Sequence, residues 1–103
     1  MSINGDSNLA LSEAVALFLD FLIGVRRASP YTIGAYKTDL GQFSTWIQSQ
    51  YGTTTVNGIT AGMITEYVIH LQSQEYSSAT QARKVASSKA LFKFCRAMEY
   101  SPR

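Results

Sequence analysis

Six of the nine lysines and arginines in this 103-residue chain fall between Arg83 and Arg103, where Glu99 is the sole acid. Residues 1–82 hold only Arg26, Arg27 and Lys37 against six acids, so the net charge of +2 conceals a negative body with a basic end. Cations gathered on one segment suit phosphate. Each cation that neutralises a backbone phosphate releases condensed counterions, which supplies most sequence-independent affinity for DNA. A plain solvated helix face would give the same charge count. Other chemistry finds little footing. His70 precedes apolar Leu71 and reads as structural. Cys95, the single cysteine, lies between Phe92 and Met98 and reads as buried and inert. One cysteine also excludes a disulfide framework and a cysteine-based zinc site. No serine or cysteine has a base at a motif spacing, so no metal, cofactor or catalytic group is expected.

A helix must carry these cations. Ser78-Ala79-Thr80-Gln81 reads as a capping box with Ser78 at the cap, opening a helix that runs to about Glu99. At about 100° per residue, Val85, Ser88, Leu91, Phe92, Cys95 and Met98 share one arc and form the expected core face. A second arc holds Arg83, Lys89, Lys93 and Arg96 among Ala82, Ala86, Ala90 and Ala97. Every side chain there is basic or small enough to admit a large partner. Lys84 and Glu99 fall within the apolar arc instead.

Three further helices are legible. Ser29-Pro30 is a strong start, with serine at the cap and proline where no N–H bond is lost. The helix it opens runs to about Gln50, with Ile33, Tyr36, Leu40, Phe43 and Ile47 on helical spacing and Trp46 beside them. Its opposite face (Gly34, Lys37, Thr38, Gly41, Thr45, Gln48) is polar but almost uncharged, and its glycines would let a partner come close. The serines and threonines at the starts of this helix and the last one add donors beside helix N-termini, where anions are favoured.

The first helix is expected from Ser12, as cap, to Val25, with Glu13 in its first turn. It is apolar almost all round, and the surplus suits either deep burial or a second partner. Another helix runs from Thr60 to about Ser73, with Ile64, Tyr67, Val68 and Leu71 as its stripe. Tyr51 to Ile59 reads as a loop. Thr53 to Val56 looks strand-like but has no convincing partner, so no hairpin is expected.

The length suits one domain with a single core. The longest nearly apolar run, Ala14 to Val25, contains Asp20 and is too short for a bilayer span. No basic segment precedes it as in a signal peptide. The expectation is a soluble, cytoplasmic, all-α domain without membrane partners.

The stretch Ser29 to Trp46, S-P-Y-T-I-G-A-Y-K-T-D-L-G-Q-F-S-T-W, resembles the signature S-x-x-T-x-x-x-Y-x-x-D-L-x-x-F of the N-terminal core-binding domain of tyrosine recombinases, the phage integrase and Xer-like family. Ser29, Thr32, Tyr36, Asp39, Leu40 and Phe43 fall in place. Ser77 to Cys95 resembles the family's later S-x-x-T-x-x-R segment through Thr80 and Arg83, with Lys89 where arginine is common. Ile59 to Leu71 looks like the family's third helix.

The resemblance implies a four- to five-helix orthogonal bundle of SAM-like type over residues 11–100. A mobile tail over 1–10 would precede it, and a linker to a catalytic domain would begin at 101–103. It implies double-stranded DNA as partner, with a C-terminal catalytic domain of the same protein and neighbouring recombinase subunits as further partners. The second and fourth helices would lie toward DNA. The implied contacts are Thr32, Tyr36 and Lys37 on one, and Thr80, Arg83, Lys84, Ser87 and Lys89 on the other, joined by Lys93 from the basic arc. Tyr36 also lies on the apolar spacing of Ile33 and Leu40. The family's chemistry needs a tyrosine nucleophile with arginines and a histidine around the scissile phosphate, and no metal or cofactor. This fragment is therefore expected to be no enzyme, while its parent integrates or recombines DNA by strand breakage and rejoining.

Two other readings compete. A helical protein-interaction domain would use the apolar surplus of the first helix, through Leu17, Phe18, Phe21 and Leu22. A helix-turn-helix regulator is disfavoured, because no tight glycine-containing turn joins the third and fourth helices.

Overall fold

The computed structural model describes residues 9–52 and 55–98. Expectations for the tail over 1–8, the end of the last helix at Glu99 and the linker at 101–103 lie outside the described residues. The described residues form four α-helices, α1 (Leu11–Gly24), α2 (Pro30–Tyr51), α3 (Ala61–Ser73) and α4 (Ser78–Ala97), with a 3-10 turn at Val56–Gly58 before α3.

The helix starts follow from side-chain oxygens that accept otherwise orphaned N–H groups. Ser29 Oγ accepts the Thr32 N–H at 3.1 Å, with Pro30 in the first turn, as expected. Thr60 Oγ1 accepts the Met63 N–H at 3.2 Å. The α4 cap is Ser77 rather than Ser78: its Oγ accepts the Thr80 N–H at 3.1 Å, and Gln81 reaches back to donate to the Tyr76 carbonyl at 3.2 Å. In α1 the cap position is Ala10, not Ser12. The Ala10 N–H donates to Glu13 Oε1 at 3.3 Å, so the first-turn acid supplies the cap.

Two left-handed residues end α1 and α2. Arg27 has φ 54 in the α1–α2 corner, where the Ala28 N–H donates to the Leu22 carbonyl at 2.9 Å. Gly52 has φ 73 and closes α2, the conformation glycine adopts without strain. Leu9 and Ala10 are not part of a loose tail. The Val56 N–H donates to the Leu9 carbonyl at 2.8 Å, and Ala10 and Thr55 form an isolated antiparallel bridge. In the described part of the strand-like segment, Thr55 makes one isolated bridge, while Thr53 and Thr54 lie outside the described residues.

α1 packs on α2 and α4, α2 also meets α3 and α4, and α3 meets α4. The centre is Leu11, Leu40, Phe43, Ile47, Leu91 and Cys95, all fully buried. Most of the α1 surplus is absorbed here. Phe18 stands edge-on to Tyr36 at 5.4 Å between ring centroids, and Phe94 lies 5.2 Å from Phe18 and 5.1 Å from Phe21. Phe18 and Leu22 are buried, which leaves Leu17 and Ile23 as the large exposed apolar residues of α1.

The core face of α4 is rotated toward Phe94 by roughly half of one residue's 100° step from the sequence expectation. Lys84, Ser87, Ser88, Leu91, Phe94 and Cys95 are buried. Val85 and Phe92 sit at its edge, and Met98 is exposed. Phe94 takes the place because α1 crosses on that side and offers two aromatic rings. Among the described residues no helix is long and apolar enough to cross a membrane.

Candidate nucleic-acid interface

From Ala82 to Ala97, every exposed residue of α4 is alanine or a cation: Ala82, Arg83, Ala86, Lys89, Lys93, Arg96 and Ala97. The burial of Leu91, Cys95 and Phe94 on the other side fixes this orientation, since turning the basic arc inward would put apolar rings in water. Lys89, Lys93 and Arg96 also line a groove between α4 and the start of α3, shared with Ile59, Ile64 and Phe92.

The exposed face of α2 is Gly34, Lys37, Thr38, Gly41, Thr45 and Gln48, as the spacing predicts. Beyond the adjoining residues and the helix's own backbone, no atom of the described residues stands within 4 Å of a Cβ built on Gly34 or Gly41, so packing among them does not call for glycine at either. Thr32 and Thr80 occupy equivalent places three residues into α2 and α4. In each, the hydroxyl accepts from the capping serine (Ser29 or Ser77) at 3.1 Å, so both are held within their caps and remain half-buried. Tyr36 is half-buried with its ring on Phe18, the packing role its spacing allowed.

Two expected contacts are placed differently. Lys84 and Ser87 are buried, 3% and 4% exposed, and both turn inward to Asp39 of α2. Lys84 Nζ donates to Asp39 Oδ1 at 3.0 Å and to Gln42 Oε1, and lies 5.0 Å from the Tyr76 ring centroid. Ser87 Oγ donates to Asp39 Oδ2 at 3.0 Å. Neither side chain is on the surface, because a carboxylate enclosed at the α2–α4 seam demands partners.

Arg83 joins the same carboxylate from outside, through Nε to Oδ2 and Nη2 to Oδ1, both at 2.9 Å. Its side chain is 47% exposed, whereas that of Asp39 is fully enclosed. Each Asp39 oxygen therefore accepts two hydrogen bonds, which fills the carboxylate's capacity. Burial pushes the Asp39 carboxyl up, but bonds from Arg83, Lys84 and Ser87 outweigh it and hold the group below its usual 3.8. The same pairing raises the Arg83 guanidinium.

Sequence reasoning placed Asp39 only as a motif match and missed this hub. The available signal was Lys84 in the apolar arc of one helix and an acid beside Leu40 in the apolar stripe of another.

The other titratable candidates are structural. Cys95 is enclosed, and burial pushes its thiol up to about 11. His70 lies 5.5 Å from Trp46 and 6.2 Å from Tyr67, ring to ring. Burial, then the nearby Tyr76 and Asp39, pushes Tyr67 up to about 12.

A helical bundle with one cation-and-alanine face, tied across two helices by a buried carboxylate, is thus the class of molecule. Residues 15–99 match the family model of the phage integrase N-terminal SAM-like domain, and the chain belongs to that family. Tyrosine recombinase XerC of Roseiflexus castenholzii is 34% identical over 84 residues, covering 82% of this chain and 26% of that protein. Its namesake from Natranaerobius thermophilus is 32% identical over 77 residues, covering 75% and 26%. The chain spans about a quarter of the length of these curated relatives. A crystal structure of the N-terminal domain of a phage integrase/site-specific recombinase from Haloarcula marismortui has the same fold. Its TM-score is 0.83 at 18% identity, over 91% of this chain and 88% of that one.

Proposed function

We propose that the chain binds duplex DNA as the N-terminal core-binding part of a tyrosine recombinase. It lies against one side of a recombination half-site while a C-terminal catalytic domain of the same protein closes on the other. Strand breakage and rejoining, for integration or recombination of DNA, belongs to that second domain, and neighbouring recombinase subunits on the DNA are further partners. The observation that carries this reading is the exposed face of α4, where Lys89, Lys93 and Arg96 stand among alanines without a single acid. Small side chains let the duplex approach, and the cations meet phosphates around it. Lys37, Thr32 and Thr80 would flank that contact, and the open glycines of α2 would allow close approach of the backbone. The interaction-domain reading has less support, since Phe18 and Leu22, two of its four surface residues, are buried.

The test is a titration of labelled duplexes of two unrelated sequences at several salt concentrations. Three or four phosphate contacts give a slope of log K against log salt of about −3 to −4, from about −0.9 each. The two sequences should bind nearly alike, because phosphate contacts position a protein without specifying a site. No binding at low salt, with self-association in sedimentation, favours the interaction domain instead.

A further inference from the structure

A carboxylate beside a phosphate-binding face repels its ligand, yet Asp39 is enclosed where the two proposed DNA-facing helices meet. Its partners give the reason. Lys84 approaches from inside, is itself buried, and cancels the carboxylate's charge. Arg83 approaches from outside, so one acid with two cations leaves the cluster a net positive charge, carried at its exposed edge by Arg83. A guanidinium has five N–H donors in a rigid plane. Asp39 takes two of them, through Nε and Nη2. The two on Nη1 and the second on Nη2 make no hydrogen bond to another described residue, and the side chain is about half exposed. Two parallel bonds to one carboxylate fix the guanidinium plane, so the free donors point in a set direction. Lys89, Lys93 and Arg96 have no ion-pair partner among the described residues to fix their direction.

We propose that Asp39, neutralised by Lys84, is a positioning residue that holds Arg83 as a pre-oriented anchor for one backbone phosphate at the α2–α4 seam. The proposal rests on the DNA-binding reading and adds an internal mount to it. Phosphate would accept from the outer edge of the guanidinium while the carboxylate accepts from the inner edge. No ordering of the side chain is then left to be done on binding. A lysine cannot span two such acceptors in one plane.

The test is a cycle on the whole chain, read by duplex affinity at two salt concentrations. The variant Asp39→Asn/Lys84→Met removes one charge of each sign, so Coulomb attraction to DNA is unchanged overall. The mount predicts that Arg83→Ala weakens binding about tenfold in the native background, as for a charge-assisted bond worth one decade, and in the double variant by no more than Lys89→Ala does. Lys89→Ala should cost the same in both backgrounds, a difference that general loosening of the fold would not produce. Equal effects of Arg83→Ala in the two backgrounds overturn the proposal.

Should the double variant fail to fold by circular dichroism, Arg83→Lys decides instead. The mount predicts a loss close to that of Arg83→Ala, and retained affinity overturns it. If the native chain binds no duplex, the DNA reading falls and the anchor with it. The Arg83 Nε–Hε resonance, shifted in the native chain and lost in Asp39→Asn, then shows whether the mount itself exists.

Discussion

Arg83 and Lys84 are adjacent cations on α4, and Lys89, Lys93 and Arg96 continue the series one and more turns on. The first pair is bound to Asp39 at 2.9 to 3.0 Å, and the others face solvent. Residue type is the same in both regions, so the difference comes from position. Lys84 falls on the side of α4 that meets α2, where leaving a charge unpaired is costly, and the acid opposite it answers that need. The outer cations are exposed, on the side of α4 that borders the groove beside the start of α3. Asp39 and Lys84 therefore tie the two helices together, while the face cations make no ion pair with a described residue.

The largest expected effect separates these regions by stability. Asp39→Ala leaves Lys84 buried without its counter-charge and should destabilise by about 3–5 kcal/mol in urea unfolding. Lys89→Ala, Lys93→Ala and Arg96→Ala should each stay within about 0.5 kcal/mol. Comparable losses at the seam and on the face would erase the distinction. For DNA affinity, each alanine change on the face should reduce the salt slope by about one unit.

Titration sharpens the contrast between seam and core. Asp39 has a folded pKa below its unfolded 3.8, so its contribution is present above that value and is lost as pH falls through the folded pKa. Cys95 and Tyr67 have the opposite sign. Their folded values of about 11 and about 12 exceed the unfolded 9.0 and 10.0. Their contributions are complete below pH 9, and stability should fall as pH rises from 9 toward 12. Cys95→Ala should remove the thiol's share of the alkaline loss and leave the acid limb unchanged, as measured by unfolding at a series of pH values.

The smallest effect concerns α2. Gly34→Ala and Gly41→Ala meet no packed neighbour among the described residues, so each should stabilise the helix by roughly 0.5–1 kcal/mol. If the duplex comes close to this backbone, the same changes weaken DNA binding. Stabilisation with unchanged affinity would remove α2's glycines from the interface.

The helices were legible because their starts are local. Ser29-Pro30 and Thr60 announce themselves within a turn, and Leu40, Phe43 and Ile47 follow one period. The α4 cap was displaced by one residue because Ser77 and Ser78 offer the same oxygen in succession. The core face was misplaced because Phe92 and Phe94 are equally apolar, and only the position of α1 decides between them. The basic face was legible because exposure of cations and alanines needs no partner. The Asp39 hub was not, since its bonds join residues 44 to 48 positions apart and leave no local period. Thr55 pairs with Ala10 for the same nonlocal reason.

The central claim is that the cation-and-alanine face of α4 meets DNA. It is tested most directly by mapping amide chemical shifts of the isotope-labelled chain as a short duplex is added. The account predicts the largest shifts at Ala82, Ala86, Lys89, Lys93 and Arg96, with smaller ones at Gly34 and Lys37, all fading as salt is raised. Shifts confined to Leu17 and Ile23 on α1, or none at low salt, would contradict it.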